Sequence, residues 1–290
     1  MHGQGGMKVL FSSNMAWNIA HFRKPVVEAL LADGHCAAAL SPVDESVENL
    51  RAMGLAHHPV TIDRKGMSPL ADGRLLLSYR HRFRSIAPDA VLSYTIKPNI
   101  YGGLAARSLG VSFVPTVSGL GTAFLGGGAL ETLVSRLYRA AFRHLPVVVF
   151  QNAEDRDLFL EHRIVQAGQC VLVPGSGIDL DHFRPEPLPQ KSDQGFAFLL
   201  IARLLRDKGV IEFVEAAQQV RNRYPGTRFQ LLGNVDAGNR SAIGRHTLAG
   251  WVAQGTIEYL GATDDVRPHI RAADCIVLPS YREGTPRTLL

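Results

Sequence analysis

The chain has 290 residues, and since domains run roughly 100–200 residues each, two domains are the first expectation. Hydrophobic residues make up 46% and charged residues 20%, which supplies full-sized cores and excludes a disordered or fibrous chain. The net charge of +5 is mild and gives no argument for nucleic acid, and the 3 scattered cysteines exclude a disulfide framework. We therefore expect a protein of the reducing cytoplasm. Residues 1–8 show no secretion signal.

Apolar runs alternate with helical periods along the first half of the chain. The runs predict strands, and apolar residues at helical spacing predict helices between them. The predicted strands are 8–13, 36–40, 89–94, 111–116 and 147–151; the predicted helices are one from about residue 22 that Gly34 ends, then 69–86, 100–109 and 130–144. Short apolar strands separated by helices indicate βαβ units and a parallel sheet covered on both faces.

The alternation stops at a proline-rich segment and then starts again. Residues 186–195 read as a linker, which places a first domain at 7–185 and a second at 196–290. The second half predicts strands at 196–202, 228–233, 256–261 and 274–280, with helices at 210–224 and 240–254. We expect two Rossmann-like α/β domains facing a cleft, with ligands beyond the carboxyl ends of the strands. The second domain is expected to be incomplete, because the chain ends inside an apparent first helical turn.

Several catalytic and metal-binding motifs are absent from the sequence. There is no GxxxxGK[ST], HExxH, GxSxG or complete GxGxxG after a strand, which argues against a P-loop NTPase, a zinc protease and a nucleophile-elbow hydrolase. Asp179 and Asp181 have the spacing of a paired-carboxylate site for Mg²⁺ or Mn²⁺. We favour the simpler interpretation that both cap a short turn, so no metal site is predicted.

Two basic residues follow the strand predicted at 196–202. Arg203 and Lys208 lie where this strand ends and the next helix begins. An Arg fork, a Lys ammonium and the backbone amides of a helix start suit a diphosphate. Two basic residues at a strand end are also common in solvated loops, so this feature alone decides little.

A carboxylate and a tight turn follow the last predicted strand. Glu283, Gly284 and Thr285 supply acceptors and backbone donors, as a polyhydroxyl sugar requires, and Pro286 is expected to open a helix. Gly233 ends the strand predicted at 228–233, and its missing side chain permits close approach of a ligand.

The order A-R-L-x-x-x-K-G, then L-L-G, then P-S-x-x-E-G-x-P resembles the family 4 glycosyltransferases with the two-domain GT-B fold. The resemblance covers the chain from about residue 7. In the first half, the segments at 18–23, 94–103 and 117–121 resemble a bacterial subgroup that builds lipid-linked oligosaccharides. That subgroup includes the N-acetylgalactosaminyltransferases that extend a diacetylbacillosamine primer.

The resemblance implies a role for each matched position. Arg203 and Lys208 would hold the donor diphosphate and stabilise the leaving UDP without a metal or other cofactor, and Glu283 would contact the donor sugar. It also implies transfer with retention. The other implied donor-binding residues are Gly233, Gly284, Thr285 and Pro286, and the residues implied for the acceptor side are Asn18, Arg23, Lys97, Asn99, Ser118 and Gly119.

Two departures from the family pattern bear on activity. The second Glu of the family's E-x7-E motif would fall after Leu290, where the sequence stops. We therefore expect a C-terminally truncated chain, and an inactive fragment is an alternative to an active enzyme. Many relatives carry His on the acceptor side where this chain has Ser118, whose hydroxyl forms hydrogen bonds but is no base at neutral pH.

Positive charge is concentrated in one stretch of the chain. Residues 74–144 hold nine Lys or Arg and two acidic residues, a net charge of 9 − 2 = +7. Arg136, Arg139 and Arg143 share one face of the predicted helix, beside Leu133 and Leu137. A basic amphipathic helix is typical of a surface for anionic lipids, although a solvated helix face is an equal alternative.

The sequence therefore predicts a UDP-sugar-dependent glycosyltransferase that acts on a polyprenyl-diphosphate-linked saccharide at the inner face of the cytoplasmic membrane. An N-acetylhexosamine is the expected donor sugar. A UDP-N-acetylglucosamine 2-epimerase, which shares the two-domain architecture, is a less favoured alternative.

Overall fold

The computed structural model describes residues 6–63, 68–120, 124, 128–185, 187, 195–236, 239, 241–283 and 285–290. The chain divides into two compact units, Met1–Ser176 and Gly177–Leu290, each built around its own parallel sheet. This division falls earlier than the predicted domain end at residue 185. The predicted linker stays a prediction, since residues 186 and 188–194 lie outside the described part of the chain.

The first unit contains a seven-stranded sheet with the order β3-β2-β1-β4-β5-β6-β7, and every neighbouring pair is parallel. Its strands are β1 (Lys8–Ser12), β2 (Cys36–Ser41), β3 (Ala56–Pro59), β4 (Ala90–Tyr94), β5 (Ser112–Val117), β6 (Val148–Phe150) and β7 (Cys170–Leu172). Its helices are α1 (Ala16–Phe22), α2 (Lys24–Ala32), α3 (Val47–Ala52), α4 (Pro69–Ile86), α5 (Gly103–Leu109), α6 (Gly128–Phe142) and α7 (Ala153–Glu161).

Helices bury both faces of this sheet. Along β1, Leu10 packs with Tyr79 of α4 in one core, and Phe11 packs with Ile19 of α1 in the other. Because alternate residues of a strand point to opposite faces, a strand covered on both sides is apolar throughout. The uninterrupted apolar runs of the sequence therefore predicted the parallel sheet, and that prediction is confirmed.

Two predicted helices differ from the observed ones. The helix predicted from about residue 22 is α2, which begins at Lys24, and a helix that was not predicted, α1, ends just before it at Phe22. Pro25 explains the break, since proline lacks a backbone N–H and clashes with the preceding turn. The helix predicted at 100–109 is preceded by a π-helical turn, Pro98–Gly102, in which the buried Asn99 amide donates to the Thr116 carbonyl at 2.9 Å.

The second unit has a four-stranded parallel sheet with the order β10-β9-β8-β11. Its elements are β8 (Ala197–Ile201), α8 (Val210–Arg223), β9 (Arg228–Leu232), α9 (Arg245–Ala253), β10 (Glu258–Tyr259), α10 (Arg267–Ala272) and β11 (Cys275–Ile276). Phe213 of α8 and Leu248 of α9 share one core with Leu231 of β9. Within the described residues of the chain, no helix is both long and apolar enough to cross a membrane.

Both sheets have a point where the chain reverses its direction of strand addition. This topological switch lies between β1 and β4 in the first unit and between β8 and β11 in the second. Parallel α/β sheets bind ligands beyond the carboxyl ends of the strands at such points. The residues that follow β1, β4, β8 and β11 are therefore the candidates for ligand binding.

Candidate functional site

In the second unit, two loops meet at the switch point. The basic loop, residues 203–208, follows β8, and the acidic loop, residues 279–283, follows β11. Gly209 ends the basic loop with φ +71°, and a Cβ there would lie 2.0 Å from the Pro279 carbonyl oxygen. Only glycine fits both the backbone angle and the close approach of the acidic loop.

The closest charged contact at this point joins the two loops. Lys208 Nζ lies 2.5 Å from Glu283 Oε1, and the two side chains are 22% and 25% exposed. The structure thus brings together two of the three predicted catalytic residues. A cation and a carboxylate are available to a ligand that carries both phosphate and hydroxyl groups.

Backbone contacts fix the same two loops against each other. The Asp207 carbonyl oxygen accepts hydrogen bonds from the Tyr281 N–H at 3.1 Å and from the Ser280 hydroxyl at 3.2 Å. The Ser241 hydroxyl donates to Asp207 Oδ2 at 3.2 Å. Asp207 therefore connects three loops at the carboxyl edge of the sheet.

Arg203, the third predicted catalytic residue, contacts a different carboxylate. Its guanidinium lies 3.3 Å from Asp236 Oδ2, and its side chain is 59% exposed. Arg203 is therefore accessible to a ligand but is held less firmly than Lys208.

The structure explains why position 233 is a glycine, and the explanation differs from the predicted one. Its φ is +150°, and a Cβ at this position would lie 1.9 Å from the Ala202 carbonyl oxygen. The missing side chain thus makes room for the chain's own backbone between β8 and β9, and the interpretation that it makes room for a ligand is not needed to explain it.

The remaining donor-side residues follow the acidic loop. Gly284 lies outside the described residues. Thr285 is half-buried, and Pro286 precedes a short 3-10 turn, Arg287–Leu289, where a helix start was predicted.

In the first unit, Arg23 is placed against β4. It is 6% exposed, its guanidinium carbon lies 3.9 Å from the centre of the Tyr94 ring, and Nη1 donates to the Ser176 hydroxyl at 2.9 Å. A guanidinium over an aromatic face is stabilised by the negative ring face. Gln151 donates to the same Ser176 hydroxyl at 3.0 Å, which completes the bonded group.

Lys97 is paired with a residue that the sequence did not single out. Its Nζ lies 2.6 Å from Asp72 Oδ1, and both side chains are 16% exposed. Burial and the neighbouring Asp72 raise the pKa of Tyr101, whose hydroxyl also contacts that carboxylate. Any anion that binds Lys97 therefore competes with Asp72.

The other residues predicted for the acceptor side have mixed positions. Asn99 is 1% exposed and binds the Thr116 carbonyl near the end of β5, so its role here is to stabilise the fold. Asn18 lies on α1, and its amide oxygen is buried without a hydrogen-bond partner among the described residues. Ser118 and Gly119 follow β5, and a Cβ at Gly119 would meet no atom within 4 Å.

Helix α6 exposes the predicted basic face. Arg136, Arg139 and Arg143 are all exposed, as are Leu130 and Leu133 at 39% and 46%. Arg139, however, donates to the carbonyl oxygens of His162 and Arg163 at the end of α7, the latter at 2.9 Å. Its charge therefore also serves packing between the two helices.

The pair Asp179 and Asp181 forms a turn, as we favoured. Asp179 Oδ1 accepts from the backbone N–H of Asp181 at 2.9 Å and of His182 at 3.1 Å. In the parts of the chain that the structure describes, no group of three or more His, Cys, Asp or Glu side chains is placed to hold a metal ion.

Comparison with known proteins identifies the family. The pattern of the family described as "Glycosyl transferase 4-like" matches residues 8–152, and that of "Glycosyl transferases group 1" matches residues 195–290. The chain belongs to the family 4-like glycosyltransferases. Both sequence motifs and fold thus agree on the enzyme class, and the prediction of the family is confirmed.

Two curated proteins are similar to this glycosyltransferase. It is 27% identical to N,N'-diacetylbacillosaminyl-diphospho-undecaprenol alpha-1,3-N-acetylgalactosaminyltransferase of Campylobacter jejuni, over 98% of this chain and 77% of that protein. It is 24% identical to UDP-Gal:alpha-D-GlcNAc-diphosphoundecaprenol alpha-1,3-galactosyltransferase of Escherichia coli, over 78% of this chain and 60% of that protein.

Solved structures confirm the predicted fold class. HepE of Anabaena, in complex with UDP and glucose, superposes with a TM-score of 0.72 at 15% identity, covering 96% of this chain and 76% of its own. At such low identity the likeness shows the GT-B fold of the glycosyltransferase and nothing about its substrates.

Sequence reasoning missed several residues that contact the site of this glycosyltransferase. Asp72, Asp236 and Glu212 each bind a residue of the site or of its loops from a distant part of the sequence. No local motif marks them. Tyr281 could have been found from the sequence, because it lies inside the P-S-x-x-E-G segment, but the pattern assigns it no role.

Proposed function

We propose that this glycosyltransferase transfers a sugar from a UDP-sugar to a polyprenyl-diphosphate-linked saccharide. The observation that carries the proposal is the meeting of Lys208 and Glu283 at the switch point of the second sheet. An ammonium group suits the donor diphosphate, and a carboxylate accepts hydrogen bonds from sugar hydroxyls. The acceptor class is supported by the names of the C. jejuni and E. coli relatives, which both act on undecaprenyl-diphosphate-linked sugars.

The proposed donor sugar is an N-acetylhexosamine. The support is the C. jejuni relative, which matches 98% of this chain and transfers N-acetylgalactosamine. The E. coli relative transfers galactose from UDP-Gal, and HepE binds UDP and glucose, which supports UDP as the carrier. UDP-N-acetylgalactosamine is therefore the first donor to test, with UDP-galactose and UDP-glucose beside it.

The proposed reaction needs electrostatic stabilisation of the leaving group. The bond between sugar C1 and the β-phosphate oxygen breaks, and UDP leaves with the electron pair. The acceptor hydroxyl forms the new bond to C1 on the same face and gives its proton to the departing phosphate. Lys208 and Arg203 stabilise the charge that develops on UDP, so we propose a reaction without a metal cofactor. Retention at C1 is proposed from the resemblance to the family.

The acceptor is proposed to bind at the carboxyl edge of the first sheet. Arg23 and Lys97 supply positive charge there for the acceptor diphosphate, and Ser118 with Gly119 supplies a hydroxyl and backbone groups. Lys97 has to exchange Asp72 for phosphate, since the two side chains are in direct contact. Asn18 offers a buried amide oxygen next to this edge.

We propose that α6 holds the enzyme at the inner face of the cytoplasmic membrane. Arg136 and Arg143 are exposed beside Leu130 and Leu133, a combination that binds anionic lipid surfaces. The test is sedimentation with vesicles that contain anionic lipid. The variant Arg136→Glu/Arg143→Glu, which leaves Arg139 and its α7 contacts intact, is expected to lose binding, and unchanged binding contradicts the proposal.

The whole proposal is tested by product analysis with the full chain. Undecaprenyl-diphosphate-linked diacetylbacillosamine is incubated with each UDP-sugar, with and without EDTA. We expect UDP release coupled to an extended lipid-linked product with an α linkage, unaffected by EDTA. Inversion at C1, loss of activity in EDTA, or formation of a free epimerised hexosamine in place of the extended product contradicts it.

A further inference from the structure

The acidic loop has a second attachment besides Lys208. The Tyr281 hydroxyl donates to Glu212 Oε1 at 2.6 Å, a contact between residues 69 positions apart in the sequence. Glu212 lies in the first turn of α8, directly after the basic loop. The contact therefore joins the helix that begins at one loop to the tip of the other.

This contact does little for the core of the unit. The Tyr281 side chain is 68% exposed, so the ring is not there to bury apolar surface. The hydrogen bond is nonetheless short, at 2.6 Å, and it lowers the pKa of Glu212 and raises the pKa of Tyr281. A side chain that buries little and bonds at its tip fixes a loop rather than a core.

The loop that Tyr281 fixes carries Glu283 two residues later. The backbone N–H of Tyr281 and the hydroxyl of Ser280 already bind the Asp207 carbonyl, which holds the start of the acidic loop. The phenol anchors the loop at a second point, so its course up to Glu283 is defined from two directions. A single surface hydrogen bond shifts a loop equilibrium by about two- to tenfold.

We propose that Tyr281 and Glu212 are positioning residues that hold Glu283 in place for the donor sugar. The inference rests on the proposed function, in which Glu283 contacts the sugar and Lys208 the diphosphate. Because the pair acts through Glu283, losing it weakens binding of the sugar part and does not weaken binding of UDP, whose diphosphate competes with Glu283 for Lys208. A merely structural role would weaken both ligands together.

The test compares calorimetric binding of UDP and of UDP-N-acetylgalactosamine to the full chain. Tyr281→Phe and Glu212→Ala are expected to weaken UDP-N-acetylgalactosamine binding about two- to tenfold without weakening UDP binding. Glu212→Gln keeps an acceptor oxygen for the Tyr281 hydroxyl and is therefore expected to retain most of the affinity for UDP-N-acetylgalactosamine. Tyr224→Phe is the control, because Tyr224 is also exposed, at 55%, but lies at the far end of α8.

A double variant decides whether the two side chains act through one bond. Tyr281→Phe/Glu212→Ala is expected to lose no more than either single variant, since removing one partner already breaks the contact. If wild type binds UDP-N-acetylgalactosamine and the single variants bind it equally well, or lose UDP affinity in parallel, the positioning role is overturned while the proposed function stands. If wild type binds neither ligand, both are overturned.

Discussion

Lys208 and Glu283 neutralise each other across 2.5 Å, although the proposed reaction assigns them to different parts of the donor. Before a UDP-sugar binds, each side chain is the other's counter-ion. The diphosphate then has to take Lys208 from Glu283. Because of this competition, removing the carboxylate should strengthen the binding of UDP and lower the rate of sugar transfer.

Glu283→Gln is therefore expected to bind UDP about two- to fivefold more tightly, because the competing charge is gone, while transfer falls. Calorimetry with UDP and a transfer assay measure the two effects. Glu258→Gln removes a carboxylate from the Arg228 ion pair at the amino ends of β9 and β10 and is the matched control. Weaker or unchanged UDP binding in Glu283→Gln would show that the pair does not compete with the diphosphate.

Gly209→Ala is expected to lower the free energy of unfolding by about 2 kcal/mol or more, because the left-handed backbone alone costs about 1–2 kcal/mol with a side chain. The Pro279 carbonyl at 2.0 Å from the new Cβ adds a clash. Gly250→Ala is the control: it lies within α9 with no atom near its Cβ, and a gain of about 0.5–1 kcal/mol is expected. Urea unfolding measures both, and equal stability of the two variants would refute the close approach at Gly209.

The stability of the chain is expected to fall between about pH 7.5 and 5.5 through His57 and His58. Burial lowers the pKa of both imidazoles below the ordinary value of 6.5, and positive neighbours such as Arg51 and Arg82 add to it. The unfolded chain then binds more protons than the folded one as the pH drops through 6.5, so the folded state loses stability. The two neutral imidazoles make their full contribution to the free energy of unfolding at the upper end of this pH range.

Unfolding of His57→Gln/His58→Gln at both pH values checks this expectation. The double variant should lose less stability on acidification than wild type does. His246→Gln changes an exposed position of α9 and is the control, which should lose as much stability on acidification as wild type does. A double variant with the full wild-type pH dependence would contradict the assignment to these two residues.

The fold was predictable where local signals and burial agreed. Helix α4 begins and ends at the predicted residues, because Ser68 caps it, Pro69 suits a first turn and the apolar spacing is regular. The short edge strands β3 and β7 went unpredicted, since three or four residues carry no period and each pairs with a single neighbouring strand.

For the candidate site, the sequence was enough to predict where Lys208 and Glu283 lie and not which side chains they contact. The position of Lys208 and Glu283 after two strands was enough to place them at one sheet edge, because parallel strands end together. Their direct pairing, the Tyr281–Glu212 contact and the Lys97–Asp72 pair depend on side-chain geometry between segments far apart in sequence. Only the folded structure supplies that geometry.

The most direct test of the account is the transfer rate of Lys208→Gln with UDP-N-acetylgalactosamine and the diacetylbacillosamine-linked acceptor. Loss of a charge that stabilises the leaving UDP is expected to lower kcat about 100-fold or more, with folding retained. Gln keeps a polar side chain that is only one atom shorter than Lys, so a steric explanation is reduced. A Lys208→Gln enzyme that transfers the sugar at the wild-type rate would contradict the central claim that this switch point is the donor site.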